Sequence, residues 1–469
     1  VGLDHVGLSE NSSRDEFFAR YETSFLVLAF QQLINSARNA NVWDVSVLLF
    51  LEETMISSSD MARMLDKRQP GFALEREFYT DPDMFRLDME HIWYREWLFA
   101  GHECELPKTG SYITMQVGDY PIMIVRDEKG QIRAMHNTCR HRGSKICKEH
   151  KGTSAKLVCP YHQWTYGLDG KLLFARQMGD GFDKTGYDLA TVACEVVEGT
   201  IFVCLAENPT DFGRVRDQLV QYLVPHHLKD AKVAFETTII EKGNWKLVWE
   251  NNRECYHCAA NHPELCKTFP EAPSSIGLAD GVIDDEVKDL WSRCENAGIA
   301  AEFKVDPTGQ FRTTRVPLLN DATSYTMDGF PAVTRPISDT RSVDNIGALL
   351  FYHYPSSWNH YLADHLVTFR VIPISATETA VTTKWLVHKD AVEGVDYDIE
   401  RLTHVWVETN DQDRQVVEDN AAGILSPAYK PGPYSAVHEG GVLQFVEWYA
   451  SFIRPRLDGG ARSPLLSVA

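Results

Sequence analysis

The sequence predicts an α+β protein in two unequal parts: a small antiparallel β domain, and a larger α+β domain with an antiparallel sheet of its own. Three observations predict it. From Trp97 to Leu205 the chain breaks into short strand-like runs separated by turn residues. From residue 208 onward, longer helical stretches alternate with strands. The small part also carries two Cys/His pairs in one stretch, a pattern that belongs on loop tips around a metal. A chain of 469 residues is long enough for two or three domains and a sizeable core.

Composition narrows the classes. The chain is 44% hydrophobic, as a folded globular protein is. Its formal net charge of −20 leaves no basic surplus for phosphates and argues against nucleic-acid binding. Ten scattered cysteines suggest a reducing cytoplasm and no disulfide framework. The most apolar early run, Phe25 to Phe30, is cut by Gln31 and Gln32, far short of the roughly 20 residues of a membrane span. No basic region followed by an apolar one opens the chain, so no signal peptide is expected.

In chain order, residues 1–58 read as an N-terminal extension or leader. Ser12 to Asp15 could cap a helix carrying Phe17, Phe18, Tyr21, Phe25 and Leu28, and a second apolar run spans Val45 to Leu51. An extra helical arm and a leader with little structure both fit. The second is preferred, because Met55 would give an ordinary polar start. Residues 59–94 read as a helical lead-in packed on the larger domain, with Asp81-Pro82 as cap and first position. Residues 95–207 form the small β domain. Pro121 to Val125, the turn at Asp127 to Gly130 and Ile132 to His136 make a hairpin that runs into Cys139. Thr165 to Gly170 turns another hairpin, and Thr200 to Leu205 is the closing strand. Residues 208–469 form the α+β domain. Its strands are Lys232 to Ile240, Leu366 to Ile374 and Ala380 to His388. Residues 268–345, rich in Pro, Gly, Ser and Asp, read as long excursions. Gly179, Gly181 and Gly186 have the wrong spacing for a dinucleotide fingerprint, so electrons must come from outside the chain.

The metal signature is Cys139-x-His141, a gap of seventeen residues, then Cys159-x-x-His162. Zinc fingers usually pair cysteines in one half and histidines in the other. Here each half holds one of each. That arrangement suits a [2Fe–2S] cluster in which two cysteines bind one iron and two histidines the other. Zinc remains the competing reading. His150 and Cys147 lie inside the gap and are ordinary loop residues.

A second site is expected in Trp245 to His262, where Glu254, His257 and His262 stand out. The two histidines are five residues apart, about 140° of helix rotation, so they meet one metal only if the helix ends between them. Asn261 and Pro263 make that possible. Two imidazoles and one carboxylate form the facial triad that holds Fe(II) and leaves positions open for O₂. The helix Arg401 to Gly423 carries a stripe of Val405, Trp406, Thr409, Val416, Val417 and Asn420, and Asp413 falls on it. A carboxylate on a buried face must be paired, neutralised or metal-bound. Asp413 is therefore chosen as the third ligand, with Asp411, on the polar face, as the fallback; a buried salt bridge between Asp413 and an arginine is the competing reading.

Both motifs together resemble the oxygenase components of the Rieske non-haem iron oxygenases, over about residues 60–469. The resemblance implies Cys139, His141, Cys159 and His162 as cluster ligands, and His257, His262 and Asp413 as iron ligands. It implies a helix-grip catalytic domain. Glu254 sits where the family has a bridging carboxylate, more often Asp, that couples the cluster of one subunit to the iron of its neighbour in a homotrimer. Asn251 to Cys258, His262 to Leu265, Thr382 to Asp398 and Pro431 to Ser435 resemble the group that includes glycine betaine monooxygenases and stachydrine (proline betaine) demethylases.

That group implies O₂, electrons from a separate flavin- or ferredoxin-type reductase that alone uses NAD(P)H, and hydroxylation of an N-methyl group with loss of formaldehyde. Proline betaine, carnitine and choline remain alternative substrates. A quaternary ammonium has no N–H, so aromatic faces or acids must hold it. Phe351, Tyr352, His353, Tyr354, Trp358, Tyr361 and Phe369 are available, and only one or two of them are expected in the cage. A carboxylate would need a histidine or arginine. The rivals are a Rieske electron carrier and a zinc-stabilised interaction protein.

Overall fold

Strand periodicity in the small domain is visible residue by residue: Ser111–Val117 alternates buried and more exposed positions along its length. The computed structural model describes residues 55–270 and 283–458. The expectations for residues 1–54 lie outside the described residues. Contacts divide the chain after Ile56, and the unit from Ser57 onward holds both sheets.

The lead-in begins at α1 (Ser58–Lys67), where Ser57 and Asp60 cap each other's backbone N–H groups. α2 (Pro82–Asp88) follows, with Asp81 accepting from the N–H groups of Asp83 and Met84 and proline at the first position. The first large sheet uses β1 (Trp97–His102), β2 (Ser111–Val117), β3 (Tyr120–Arg126), β4 (Ile132–His136) and β5 (Lys151–Thr153), with β9 (Thr191–Val197) and β10 (Thr200–Cys204). Its order is β1-β10-β9-β4-β3-β2-β5, and the closing strand pairs with the first. A small sheet of β6 (Leu157–Val158), β7 (Thr165–Tyr166) and β8 (Leu172–Phe174) stands beside it.

The second large sheet is also antiparallel. It uses β11 (Ala231–Glu241), β12 (Lys304–Val305), β13 (Phe311–Val316), β14 (Ala348–His353), β15 (Ser357–Tyr361), β16 (Leu366–Ser375) and β17 (Glu378–His388), in the order β11-β17-β16-β15-β14-β13-β12. β13 lies inside the stretch expected to be excursions. That stretch therefore supplies strands as well as loops, because sheet pairing with β14 organises residues whose own periodicity is weak.

The two faces of this sheet do different work. Phe311, Phe351 and Leu386 pack on Trp97, Phe99 and Phe202 of the small domain in one shared core. The helices α3 (Gly213–Leu223), α4 (Trp245–Asn252) and α5 (Cys258–Asn261) follow the small domain, and other positions of the sheet face the later helix α6 (Ile399–Ile424), capped by Asp398 on the N–H of Arg401. Asn410 on α6 donates to the hydroxyl of Thr383 at 3.0 Å, and Trp406 packs 4.9 Å from Phe369. The sheet thus curls around the helix.

One buried ion pair sets the position of α4, which leads into the second site. Lys246 pairs with Asp88, both fully buried. Asp88 also accepts from Trp245 Nε1 at 3.1 Å and from the Tyr449 hydroxyl at 2.7 Å. With every oxygen occupied, the pair ties lead-in, α4 and C-terminal helix together; losing one partner would strand a buried charge, at a cost of about 3–5 kcal/mol.

Candidate metal centres and substrate pocket

The first centre sits on two tight loops. Cys139 accepts from the Gly143 N–H at 2.9 Å and its own N–H donates to Ser144 O at 3.0 Å; Cys159 accepts from Gln163 at 3.0 Å and donates to Trp164 O at 2.9 Å. Each loop therefore folds back on its cysteine in the same way, and Gln163 takes the left-handed conformation that this turn demands. Cys139 and Cys159 are buried, while His141 and His162 stand at the rim. The histidine rings lie 4.6 Å apart, and His141 stacks on Trp164 at 4.9 Å. Burial pushes the Cys139 thiol up, and the neighbouring Cys159 sulfur adds to that. His141 Nδ1 is buried with no hydrogen-bond partner. Cys147 is instead buried in the domain core, and His150 faces Glu236 at 3.4 Å.

The second centre is assembled from two segments. α4 ends at Asn252, and His262 closes the four-residue α5 with φ −119° and ψ 67°, so the helix has unwound where both histidines can turn inward. His257 Nε2 lies 3.0 Å from His262 Nε2. Asp413 Oδ1 lies 3.2 Å from the first and 3.0 Å from the second. Donors on one face of an octahedral ion with bonds of about 2.1 Å lie roughly 3.0 Å apart, so the three atoms already have the spacing of a facial triad. Asp411 pairs with Arg414 in the exposed layer. Cys258 approaches both histidines, but its sulfur is bonded to Cys255, so it offers no thiolate. This single local disulfide is a link not expected from the sequence, but it is no disulfide framework, since the other eight cysteines form none.

Each ligand candidate has a partner behind it. The Glu254 carboxylate bonds His257 Nδ1, and its other oxygen accepts from the backbone N–H groups of Tyr256 and His257. His262 Nδ1 donates to Gln412 at 2.8 Å, and Gln412 donates to Glu264 at 2.9 Å. Both Nε2 atoms are thereby turned toward Asp413. Burial alone would lower His257, but bonds to Asp413 and Glu254 outweigh it and carry it up to about 9. His262 is raised in the same way against its burial. Burial would raise Asp413, yet the two histidines hold it below the usual carboxylate range. The site is built for a cation.

The triad opens into a pocket of about 210 Å³ between α6 and the curled sheet. Phe269, Tyr352, His360 and Trp406 line it, with Arg253 and Arg312. Of the aromatics picked out in sequence, Tyr352 reaches this pocket; Phe351 and Tyr361 are core.

The family model described as "Rieske [2Fe-2S] domain" matches residues 96–191, and the one described as "Ring hydroxylating alpha subunit (catalytic domain)" matches residues 228–454. The chain is 48% identical over 393 residues to the glycine betaine monooxygenase oxygenase subunit of Pseudomonas aeruginosa, covering 83% of this chain and 91% of that protein. The chain belongs to the Rieske non-haem iron oxygenases. The oxygenase subunit of the same name from Chromohalobacter salexigens is 46% identical over 416 residues, covering 88% of this chain and 93% of that one. Among solved structures, the quaternary ammonium Rieske monooxygenase CntA with L-carnitine superposes with a TM-score of 0.61 at 21% identity, covering 83% of this chain and 98% of that chain. Naphthalene 1,2-dioxygenase from Rhodococcus gives 0.63 at 16%, covering 84% and 98%. Those two likenesses speak for the fold alone.

As a Rieske oxygenase, the chain works with a [2Fe–2S] cluster and a mononuclear iron, uses O₂ as co-substrate and takes electrons from a separate reductase. Its residues fit both groups. The mixed Cys/His set around an unpartnered His141 nitrogen suits the cluster, and the three-atom face suits the iron. Gln412, Phe269 and Trp406 were not singled out for the site from sequence. Gln412 is adjacent to Asp413 and Trp406 lies on the same stripe two turns earlier, so that stripe was the available signal. No helix among the described residues is long and apolar enough to cross a membrane.

Proposed function

We propose that this chain is the oxygenase component of a glycine betaine monooxygenase, removing one N-methyl group to give dimethylglycine and formaldehyde. The observation that carries the proposal is a three-donor metal face opening into a pocket with aromatic walls. The resemblance to glycine betaine monooxygenase subunits over 91% of their length supports the choice of substrate. Glycine betaine, O₂, two electrons and two protons balance dimethylglycine, formaldehyde and water.

Cys139, His141, Cys159 and His162 would hold the cluster, and His257, His262 and Asp413 the iron. When bound, these groups deliver electrons one at a time and activate O₂. The protein's own part is positioning. Glu254 and Gln412 hold the Nδ1 sides of the two histidines and keep their Nε2 lone pairs inward. Trp406 and Phe269 offer π faces to a trimethylammonium group, which needs no hydrogen-bond acceptor. Once a methyl carries a hydroxyl, the O–H proton departs, the C–N bond breaks and nitrogen keeps the pair. This step needs no side-chain base. Glu254 is the group through which the cluster of a neighbouring subunit in a homotrimer would be coupled. A cytoplasmic setting, where a reductase and reduced nicotinamide are at hand, goes with this reading.

The test is formaldehyde release by the iron-loaded protein with a competent reductase, across glycine betaine, proline betaine, carnitine and choline. Glycine betaine should give the highest kcat/KM, with dimethylglycine formed one-to-one. Inertness of all four would sink the reading, and a preference for proline betaine would transfer it to that substrate.

A further inference from the structure

Arg312 is a buried cation without an anion. Only 8% of it is exposed, and its Nε has no hydrogen-bond partner. Asp306 acts on it electrostatically, but that carboxylate is occupied by Thr308 and the Phe311 N–H. The Tyr354 ring is 5.8 Å away, at the outer limit of a useful cation–π contact. A second guanidinium, Arg253, stands nearby with 4.4 Å to the Tyr352 ring; its Nε is also unpartnered, and Nη2 donates to Gln444 at 3.2 Å. Arg312 pairs in register with Tyr352 across β13 and β14, and the Arg253 guanidinium acts on Arg312 electrostatically. Among the described residues, neither arginine makes an ion pair with a carboxylate.

Two neighbouring positive charges in a low-dielectric wall repel, and each is costly to bury unpaired. Burial accordingly lowers Arg312 to about 10, and Arg253 adds to the effect. In a chain of net charge −20, acids are plentiful, yet among the described residues none is close enough to either arginine to form an ion pair. Both arginines line the pocket that holds the triad. The missing anion is therefore expected from the ligand.

We propose that Arg312, with Arg253 beside it, anchors the carboxylate of a betaine and so selects zwitterionic quaternary amines over purely cationic ones. The inference rests on the proposed function and deepens it. A guanidinium presents paired N–H donors that match a carboxylate. With that end fixed, the trimethylammonium end is left to the Trp406 and Phe269 faces. Arg312 acts here by binding, so its loss should appear in KM before kcat.

The experiment is calorimetric binding to the iron-loaded protein, with glycine betaine against choline, which carries a hydroxymethyl group in place of the carboxylate. The wild type should bind glycine betaine about 100-fold more tightly. Arg312→Met should raise Kd and KM for glycine betaine by about 100-fold, bringing its affinity close to that for choline, and Arg312→Lys should recover part of the difference. The visible spectrum of the cluster and the iron content report whether each variant is intact. Should Arg312→Met fail to load or fold, the wild-type comparison still decides. Equal wild-type affinity for the two ligands overturns the anchor, as does an unchanged KM in an intact Arg312→Met. If the wild type demethylates glycine betaine while either result holds, the anchor alone is lost. If it demethylates none of the quaternary amines, the proposed function is lost first.

Discussion

The cluster loops take all four donors from one stretch, Cys139 to His162, whereas the triad takes its carboxylate from a helix 156 residues beyond His257. Their architecture follows. The cysteine loops are held by hydrogen bonds within a few residues of themselves. The triad exists only because α4 and α6 are packed against a common sheet, with the Asp88–Lys246 pair fixing one side and Trp406 the other. A locally built site should survive damage elsewhere. A site assembled over long range should fail alone.

The largest effect should come from Asp413→Ala. It should abolish mononuclear iron binding and cut turnover by at least about a thousandfold, while the cluster absorption stays intact. Loss of the cluster as well would break the contrast, since the two centres would then depend on each other. A smaller effect should come from Glu254→Gln, which keeps the shape but weakens the hold on His257. Iron and cluster contents should remain, and kcat should fall by about 10–100-fold. Wild-type turnover in that variant would remove Glu254 from the site.

The smallest effect is one of pH. In metal-free protein, His257 is raised from 6.5 to about 9 by Asp413 and Glu254 acting against burial. A raised histidine stabilises the fold fully below 6.5 and loses that contribution as pH climbs through about 9. Iron takes the place of the proton and is favoured by deprotonation. Thermal melts from pH 6.5 to 9 should therefore fall for chelated protein, and the gap to iron-loaded protein should widen. A metal-free melting temperature that rises across the window would contradict the coupling.

The same contrast explains what was legible in the sequence. The Cys/His pairs could be read directly, because spacing along a loop is nearly position in space. The hairpin before Cys139 and the cap at Asp81 were legible for the same local reason. Asp413 could be reached through helical periodicity, which carries position along α6 but says nothing of what lies opposite. The pocket wall was mostly hidden. Phe269 and Arg312 fall in a stretch of weak periodicity that becomes ordered only by pairing with β14 and by packing near the triad. Asn420, read as part of the buried stripe, is exposed.

Because Trp406 and Asp413 project from one uninterrupted helix, α6 acts as a ruler between the ligand's resting place and the reactive metal. Seven residues make just under two turns, so the indole and the carboxylate point the same way. A single inserted or deleted residue between them would swing one against the other by about 100°. Relatives with new appetites should hence differ in side chains along this segment and in the loops around it, while the count of residues between those two positions stays fixed.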